Sequence, residues 1–223
     1  MKVFITRNLA PDSPLKSRLE ASQILLTGIS LIAFQPCFFP PLPLVDWLFF
    51  YSKNGVKYFF EQTNNSLSSD VKIAAMGAGT AKVVTQYGYT PDFIGKGTPH
   101  AISIDFQKIA NGQTVAFLRA KHSKMTIQKT LKNNLTIVDR IVYKNRPIHP
   151  CCLPFFDILI FTSPLNVITF FQDNAYQPPQ AIISIGPTTS QALRNVGRTD
   201  IITAATPSED ALVECILQYA YSE

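Results

Sequence analysis

The chain has 223 residues, 46% of them hydrophobic, which is enough for one large or two small packed domains. Twenty Lys and Arg against fifteen Asp and Glu leave a formal charge of +5, which favours an anionic partner, yet no basic run or aromatic-basic stripe marks a nucleic-acid surface. The longest apolar window, residues 24–34, is broken by Thr27, Gly28 and Ser30 and falls short of the roughly twenty residues a bilayer requires. Met1 leads into a strand pattern with no secretory leader, so a cytoplasmic chain is expected. Cys37, Cys151, Cys152 and Cys215 lack CxxC spacing, which argues against a disulfide framework or a zinc cluster. His149 stands beside Cys151 and Cys152 without further ligands at suitable spacing, so no metal is expected.

In chain order, residues 2–6 read as a short strand, and Ser13-Pro14 opens a helix through Leu15, Leu19, Ile24 and Leu25 that Gly28 ends. A strand is predicted over 29–34. Pro36, Pro40, Pro41 and Pro43 then exclude helix and central strand and mark a linker. Residues 46–60 begin with Asp46, continue as an apolar strand, place Ser52 on the strand-to-helix turn and end in Phe59-Phe60. A strand over 73–76, a Gly77-Ala78-Gly79-Thr80 turn and a helix over 81–87 stopped by Gly88 follow. Next are a strand over 92–95, a helix opened by Thr98-Pro99 and running over 101–110, and a strand over 115–118 closed by Arg119. A helix around 127–131 leads to an extended β-branched run over 136–143, and prolines recur at Pro147, Pro150 and Pro154.

Residues 157–171 then rewrite residues 46–60, with Ser163 in the place of Ser52. A strand over 182–185, Gly186-Pro187-Thr188-Thr189, a helix ended by Gly197, a strand over 200–203 and a helix opened by Thr206-Pro207 complete the copy. Arg7 recurs as Arg119 after 112 residues, Pro36 as Pro147 after 111, Ser52 as Ser163 after 111, Gly77 as Gly186 after 109 and Thr98 as Thr206 after 108. Each copy therefore has a first arm (strand, helix, strand) and a second arm (three strand-helix units). The proline-rich breaks fall inside the copies, so residues 37–147 should form one inserted α/β domain, and residues 1–36 with 148–223 a discontinuous one. The expected fold class is α/β: two flavodoxin-like, parallel-sheet, three-layer domains joined by a two-stranded linker. Two connections crossing together would make a hinge with a cleft beneath it.

The apices of the second arms collect Ser52, Asn54, Gly79, Thr80 and Thr98 on one side and Ser163, Asn166, Thr188, Thr189 and Thr206 on the other. None is a strong acid or base. Each stands at a helix start, where hydroxyls, unpaired backbone N–H groups and the positive end of the helix dipole suit carboxylate or phosphate. A single Ser or Thr there is more often an N-cap worth about 1 kcal/mol, so the candidate site rests on their collection. Gly77-Ala78-Gly79 meets Lys82 where a dinucleotide fingerprint needs its third glycine, no Gly-Lys-Ser/Thr phosphate loop exists, and the few histidines lie off the apices. Tyr143 breaks the symmetry: the repeat sets it opposite Ile32, just before the linker, where its hydroxyl would face the cleft. Arg119 ends a first strand and could meet an anion; for Arg7 a surface ion pair is the better expectation.

Residues 46–60, Ala75-Met76-Gly77-Ala78-Gly79-Thr80-Ala81, residues 157–171, the run from Ile185-Gly186-Pro187-Thr188-Thr189 to Leu193, and the run from Ala205-Thr206-Pro207-Ser208 to Leu212 resemble uroporphyrinogen-III synthase. The resemblance covers essentially the whole chain. It implies a cofactor-free lyase that closes hydroxymethylbilane into uroporphyrinogen III in haem biosynthesis, inverting the last pyrrole ring through a spiro intermediate. It further implies that Tyr143 assists departure of the hydroxymethyl oxygen and that Ser163, Thr188 and Thr80 line the site. The family often has Leu-Arg-Gly where this chain has Leu118-Arg119-Ala120. No exposed heptad or obvious interface in the chain requires an oligomer, so a monomer is expected, with hydroxymethylbilane as its partner and neither nucleic acid nor membrane. The rival expectation is a two-domain small-anion-binding protein without catalysis.

Overall fold

A computed structural model describes residues 1–68, 70–148, 153–178 and 180–221. His149, Cys151 and Cys152 lie outside the described residues. The described elements are β1 (Lys2–Ile5), α1 (Pro14–Ala21), β2 (Leu25–Gly28), β3 (Ile32–Pro36), β4 (Trp47–Phe50), α2 (Lys53–Gln62), β5 (Lys72–Ala75), α3 (Ala78–Gln86), β6 (Phe93–Ile94) and α4 (Pro99–Ala110). They continue with β7 (Thr114–Ala120), α5 (Thr126–Leu131), β8 (Thr136–Pro147), β9 (Ile158–Phe161), α6 (Pro164–Asp173), β10 (Ala181–Ser184), α7 (Pro187–Asn195), β11 (Ile201–Thr203) and α8 (Glu209–Ala220).

The chain divides into two compact units, Met1–Ala33 with Arg146–Glu223, and Phe34–Asn145. It passes from one to the other within β3 and returns within β8. The first unit has the sheet order β2-β1-β9-β10-β11, which numbered along its own chain is 2-1-3-4-5, the flavodoxin order. The second has β3-β8-β7-β4-β5-β6, and its last five strands repeat that order once β7 and β8 are counted before β4. The described pairings within these five-strand sets are parallel. The duplication reaches down to register: Val3 pairs with Ile158 in one sheet, and in the other Val115, 112 residues on, pairs with Trp47, 111 residues before Ile158.

Parallel strands covered on both faces must be apolar on both, which is why Trp47-Leu48-Phe49-Phe50 and Ile158-Leu159-Ile160-Phe161 are continuous rather than alternating runs. In the second unit Trp47, Phe49, Val115 and Phe117 pack with Ile102 and Phe106 of α4 and Ile127 and Leu131 of α5. Leu48, Phe50, Ala116 and Leu118 pack on the other side with Val56, Phe59 and Phe60 of α2 and Val84 of α3. The first unit does the same, with α1 and α8 on one face and α6 and α7 on the other. Both units are thus three-layered α/β folds.

Four boundaries differ from expectation. The helix expected to run to Gly28 ends at Ala21, because Gln23 takes a left-handed turn at φ 57° and Leu25–Gly28 becomes β2. The strand expected over 29–34 starts only at Ile32. Residues 78–80, expected as a turn, are the first turn of α3 with Gly77 as N-cap, and α8 is capped by Ser208 rather than opened at Thr206.

Glu209, at the start of α8, accepts from the Ser13 hydroxyl at 2.7 Å and the Leu15 N–H at 3.0 Å and pairs with Arg7. Arg7 is therefore the ion pair expected of it. Burial alone would raise the Glu209 carboxyl, but these hydrogen bonds and the Arg7 charge outweigh it and hold it below its ordinary value. A carboxylate depressed in the folded state adds stability above its unfolded value that is lost as pH falls through the folded one. Glu209→Gln should cost about 1–2 kcal/mol at neutral pH, and its melting temperature should fall less than wild type's between pH 5 and pH 3, each limit taken as about that value. An identical acid limb in thermal melts of both proteins would refute this assignment.

Among the described residues no helix is long and apolar enough to cross a membrane.

Candidate functional site

Open parallel sheets bind ligands beyond the carboxyl ends of their strands, where successive connections leave in opposite directions. In the second unit that point lies between β4 and β7, and in the first between β9 and β1. Ser52 and Ser163 stand there, one residue past the strand turn and each the N-cap of its helix.

In the second unit the Ser52 Oγ accepts the Gly55 N–H at 3.1 Å and lies 2.9 Å from the Tyr143 hydroxyl. Gly55 has no side chain to spare: a Cβ would come within 3.2 Å of the Leu118 carbonyl, so glycine lets α2 close on the end of β7. Tyr143 is 7% exposed. Its ring stacks on Tyr58, centroids 5.6 Å apart, and meets Phe34 edge-on at 5.9 Å. That packing leaves the hydroxyl as the polar tip of an otherwise apolar side chain. Either oxygen of the Ser52 and Tyr143 pair can donate. Because Ser52 already accepts from Gly55, its own proton can go to Tyr143, which frees the tyrosine proton for another acceptor.

Beside it, α3 starts at Gly77 with no side-chain cap, so the Ala78 and Gly79 amides lack a side-chain partner at an exposed helix start. A Cβ on Gly79 would lie 3.0 Å from Lys53 Cε and 3.7 Å from its Nζ, which puts an exposed ammonium over those amides. Sequence reasoning missed Lys53; only the packing of α2 on α3 reveals it. Thr98 is exposed and caps α4 through the Ala101 N–H at 3.3 Å, and Asn54 is half-buried in the first turn of α2. Thr80 is buried, its amide bonded to the Gly77 carbonyl at 3.0 Å.

Arg119, expected as a residue that could meet an anion, is engaged within the protein. Its Nε and Nη2 fork onto the two Asp139 carboxylate oxygens at 2.7 and 2.5 Å, and its Nη1 donates to the Ala120 and Lys121 carbonyls at 2.9 and 3.2 Å. With 6% of the residue exposed, its donors serve the protein itself. Gln128 joins the pair, Nε2 to Asp139 at 2.8 Å, and its backbone N–H reaches the Tyr51 hydroxyl at 3.3 Å. Burial pushes that tyrosine up to about 12, so it stays protonated.

The first unit repeats the frame with different fillings. Ser163 Oγ accepts from the Asn166 amide N–H at 3.2 Å and from Asn166 Nδ2 at 3.0 Å. Asn166 Oδ1 in turn accepts the buried Leu31 N–H at 3.2 Å. Asn166 is thus a buried tie between α6 and the chain leaving β2. Asn166→Ala should destabilise the fold by about 1–2 kcal/mol by orphaning that N–H; an unchanged urea midpoint would overturn this. Gly186 starts α7 without a side-chain cap, Thr188 is exposed beside it, and Thr189 is buried at 3%. Thr188 therefore corresponds to Gly79 and Thr189 to Thr80, while Pro164 occupies the place of Lys53 and Ile32 that of Tyr143.

The second-unit apex offers hydroxyls, helix-start amides and one lysine, with a buried tyrosine as its chemically distinctive group, and the first-unit apex by itself offers hydroxyls and helix-start amides. A family model described as uroporphyrinogen-III synthase matches residues 13–214. A search of curated protein sequences finds no match. The fold is similar to that of a uroporphyrinogen-III synthetase from Helicobacter pylori, 22% identical over 98% of this chain and 99% of that one, with a TM-score of 0.72. It is also similar to a mutant uroporphyrinogen III synthase from Thermus thermophilus, 15% identical over 100% of both chains, with a TM-score of 0.58. From the match across most of its length, the chain belongs to the uroporphyrinogen-III synthase family, cyclising lyases of tetrapyrrole biosynthesis.

Proposed function

We propose that this chain performs the family reaction mainly by orienting its substrate, with one proton supplied by Tyr143. Hydroxymethylbilane is a flexible chain of pyrroles bearing acetate and propionate arms. The Ala78 and Gly79 amides, Lys53, Thr98, Ser52 and Asn54 of the second unit, and Ser163 and Thr188 of the first, suit those carboxylates because helix starts carry unpaired N–H groups and a positive dipole end. Thr80 and Thr189 shape these turns from beneath.

The Tyr143 hydroxyl gives a proton to the departing hydroxyl, water leaves, and an electrophilic azafulvene remains. Attack from the substituted carbon of the last ring gives a spiro intermediate, whose opening and reclosure invert that ring. The proton lost from the pyrrole carbon on closure restores the tyrosine, so the sum is loss of one water. Free azafulvene also closes to the uninverted isomer, so the protein's contribution is the geometry of attack, for which orientation effects are large, with proton transfer added. This route uses no cofactor, and a cytoplasmic monomer of two α/β domains joined by a two-stranded linker, acting without nucleic acid, completes the reading.

The observation that carries it is the Tyr143 and Ser52 hydroxyl pair at the strand-order reversal of the second unit. Incubation with freshly prepared hydroxymethylbilane, followed by separation of isomers, tests it. Type III product is expected, and type I alone would reject it.

A further inference from the structure

β7 and β8 pair in step from Thr114 with Thr136 to Arg119 with Ile141, and the register then slips so that Ala120 faces Tyr143. Val142 is the extra residue. Regular alternation would send Val142 and Tyr143 to opposite faces, yet both sit in the same core cluster beneath α2 and α3. The bulge therefore decides which face Tyr143 occupies and whether its hydroxyl reaches Ser52.

Arg119 sits at that slip. One edge of its guanidinium is gripped by Asp139, three residues before Val142 on β8, and Nη1 holds the carbonyls of Ala120, which ends β7 just past the slip, and of Lys121 in the turn that follows. The Lys121 N–H then donates to the Tyr143 carbonyl at 2.9 Å. Arg7, the same position in the other copy, behaves differently: it pairs with Glu209 on α8, and β1 with β2 runs unshifted from Lys2 with Leu25 to Ile5 with Gly28. The carbonyl clamp occurs in the unit that carries the tyrosine.

We propose that Arg119 is a positioning residue, which with Asp139 holds the bulge that aims Tyr143 at Ser52 and so sets the rate of the reaction without binding substrate. The inference rests on the role given to Tyr143 above. Arg119→Lys keeps a cation beside Asp139 and loses the carbonyl clamp. For type III formation we expect kcat to fall about tenfold, the scale of a small misplacement of a catalytic group. KM for hydroxymethylbilane should stay within about twofold, because uniform binding is untouched. In a Tyr143→Phe background the same substitution should add no further loss. A raised KM with losses that multiply would make Arg119 a substrate contact and overturn the inference. Should Arg119→Lys fail to fold in thermal melts, Arg119→Met with Asp139→Leu removes both charges together, and it should show the same fall in kcat; full kcat there overturns the inference. A Tyr143→Phe enzyme of undiminished rate would remove the tyrosine's role, and crystal structures then decide the positioning alone: in the Arg119 variant Tyr143 should leave hydrogen-bond reach of Ser52, and an unchanged contact overturns it.

Discussion

Tyr143→Phe should slow type III formation by between about tenfold and a hundredfold, at and below the low end of what a positioned proton donor contributes, and leave the isomer unchanged. The substitution is clean for structural reasons. The ring keeps its stack on Tyr58 and its edge contact with Phe34, so packing is retained. Ser52 still accepts the Gly55 N–H, so the α2 cap survives, and its hydroxyl is only part-buried, so loss of the tyrosine oxygen strands no deeply buried donor. The isomer should hold because ring inversion depends on how the substrate is bent, whereas Tyr143 acts on the leaving oxygen. Product isomers and single-turnover rates measured together check both halves. A rate equal to wild type would take Tyr143 out of the mechanism, and a shift to type I would mean that it shapes the substrate instead.

The layers and the duplication were legible because they depend on local signals: apolar runs of strand length, Ser52, Thr98 and Ser163 as helix caps, and a repeat held in register over a hundred residues. The end of α1 was not, since Gln23 makes the left-handed turn that glycine would have announced. Among the candidate site residues, type and position along the chain were readable but orientation was not. Arg119 meets a carboxylate twenty residues away on the neighbouring strand, a distance no helix or hairpin spacing prescribes. Thr80 and Thr189 occupy the third position of their helices and face inward, while the residues just before them are exposed. The Tyr143 and Ser52 contact depends on a one-residue slip in a ladder, which leaves no mark in composition or periodicity.

Asp139→Ala should be the most destabilising of these substitutions. Its carboxylate takes both prongs of the Arg119 fork and the Gln128 amide, and the Arg119 side chain is 7% exposed, so alanine would leave a buried cation and a buried amide without their acceptor. Breaking a fully buried pair costs about 3–5 kcal/mol; Asp139 is 38% exposed, solvent screens part of this, and about 2–3 kcal/mol is expected. By contrast Lys108 and Asp105, 68% and 57% exposed, should contribute almost nothing when cut. Burial alone would raise the Asp139 carboxyl, but the Arg119 and Gln128 hydrogen bonds and the arginine charge hold it below its ordinary value. The stability it adds is therefore present above the unfolded carboxylate range and lost as pH falls through the folded value, and the alanine variant should lose that part of the acid limb. Arg119→Met with Asp139→Leu should recover most of the loss, since it removes the orphan charge along with its partner. Urea midpoints of the three proteins decide the matter: an alanine variant as stable as wild type would show that Arg119 finds water or another acceptor, and the double variant would then have nothing to recover.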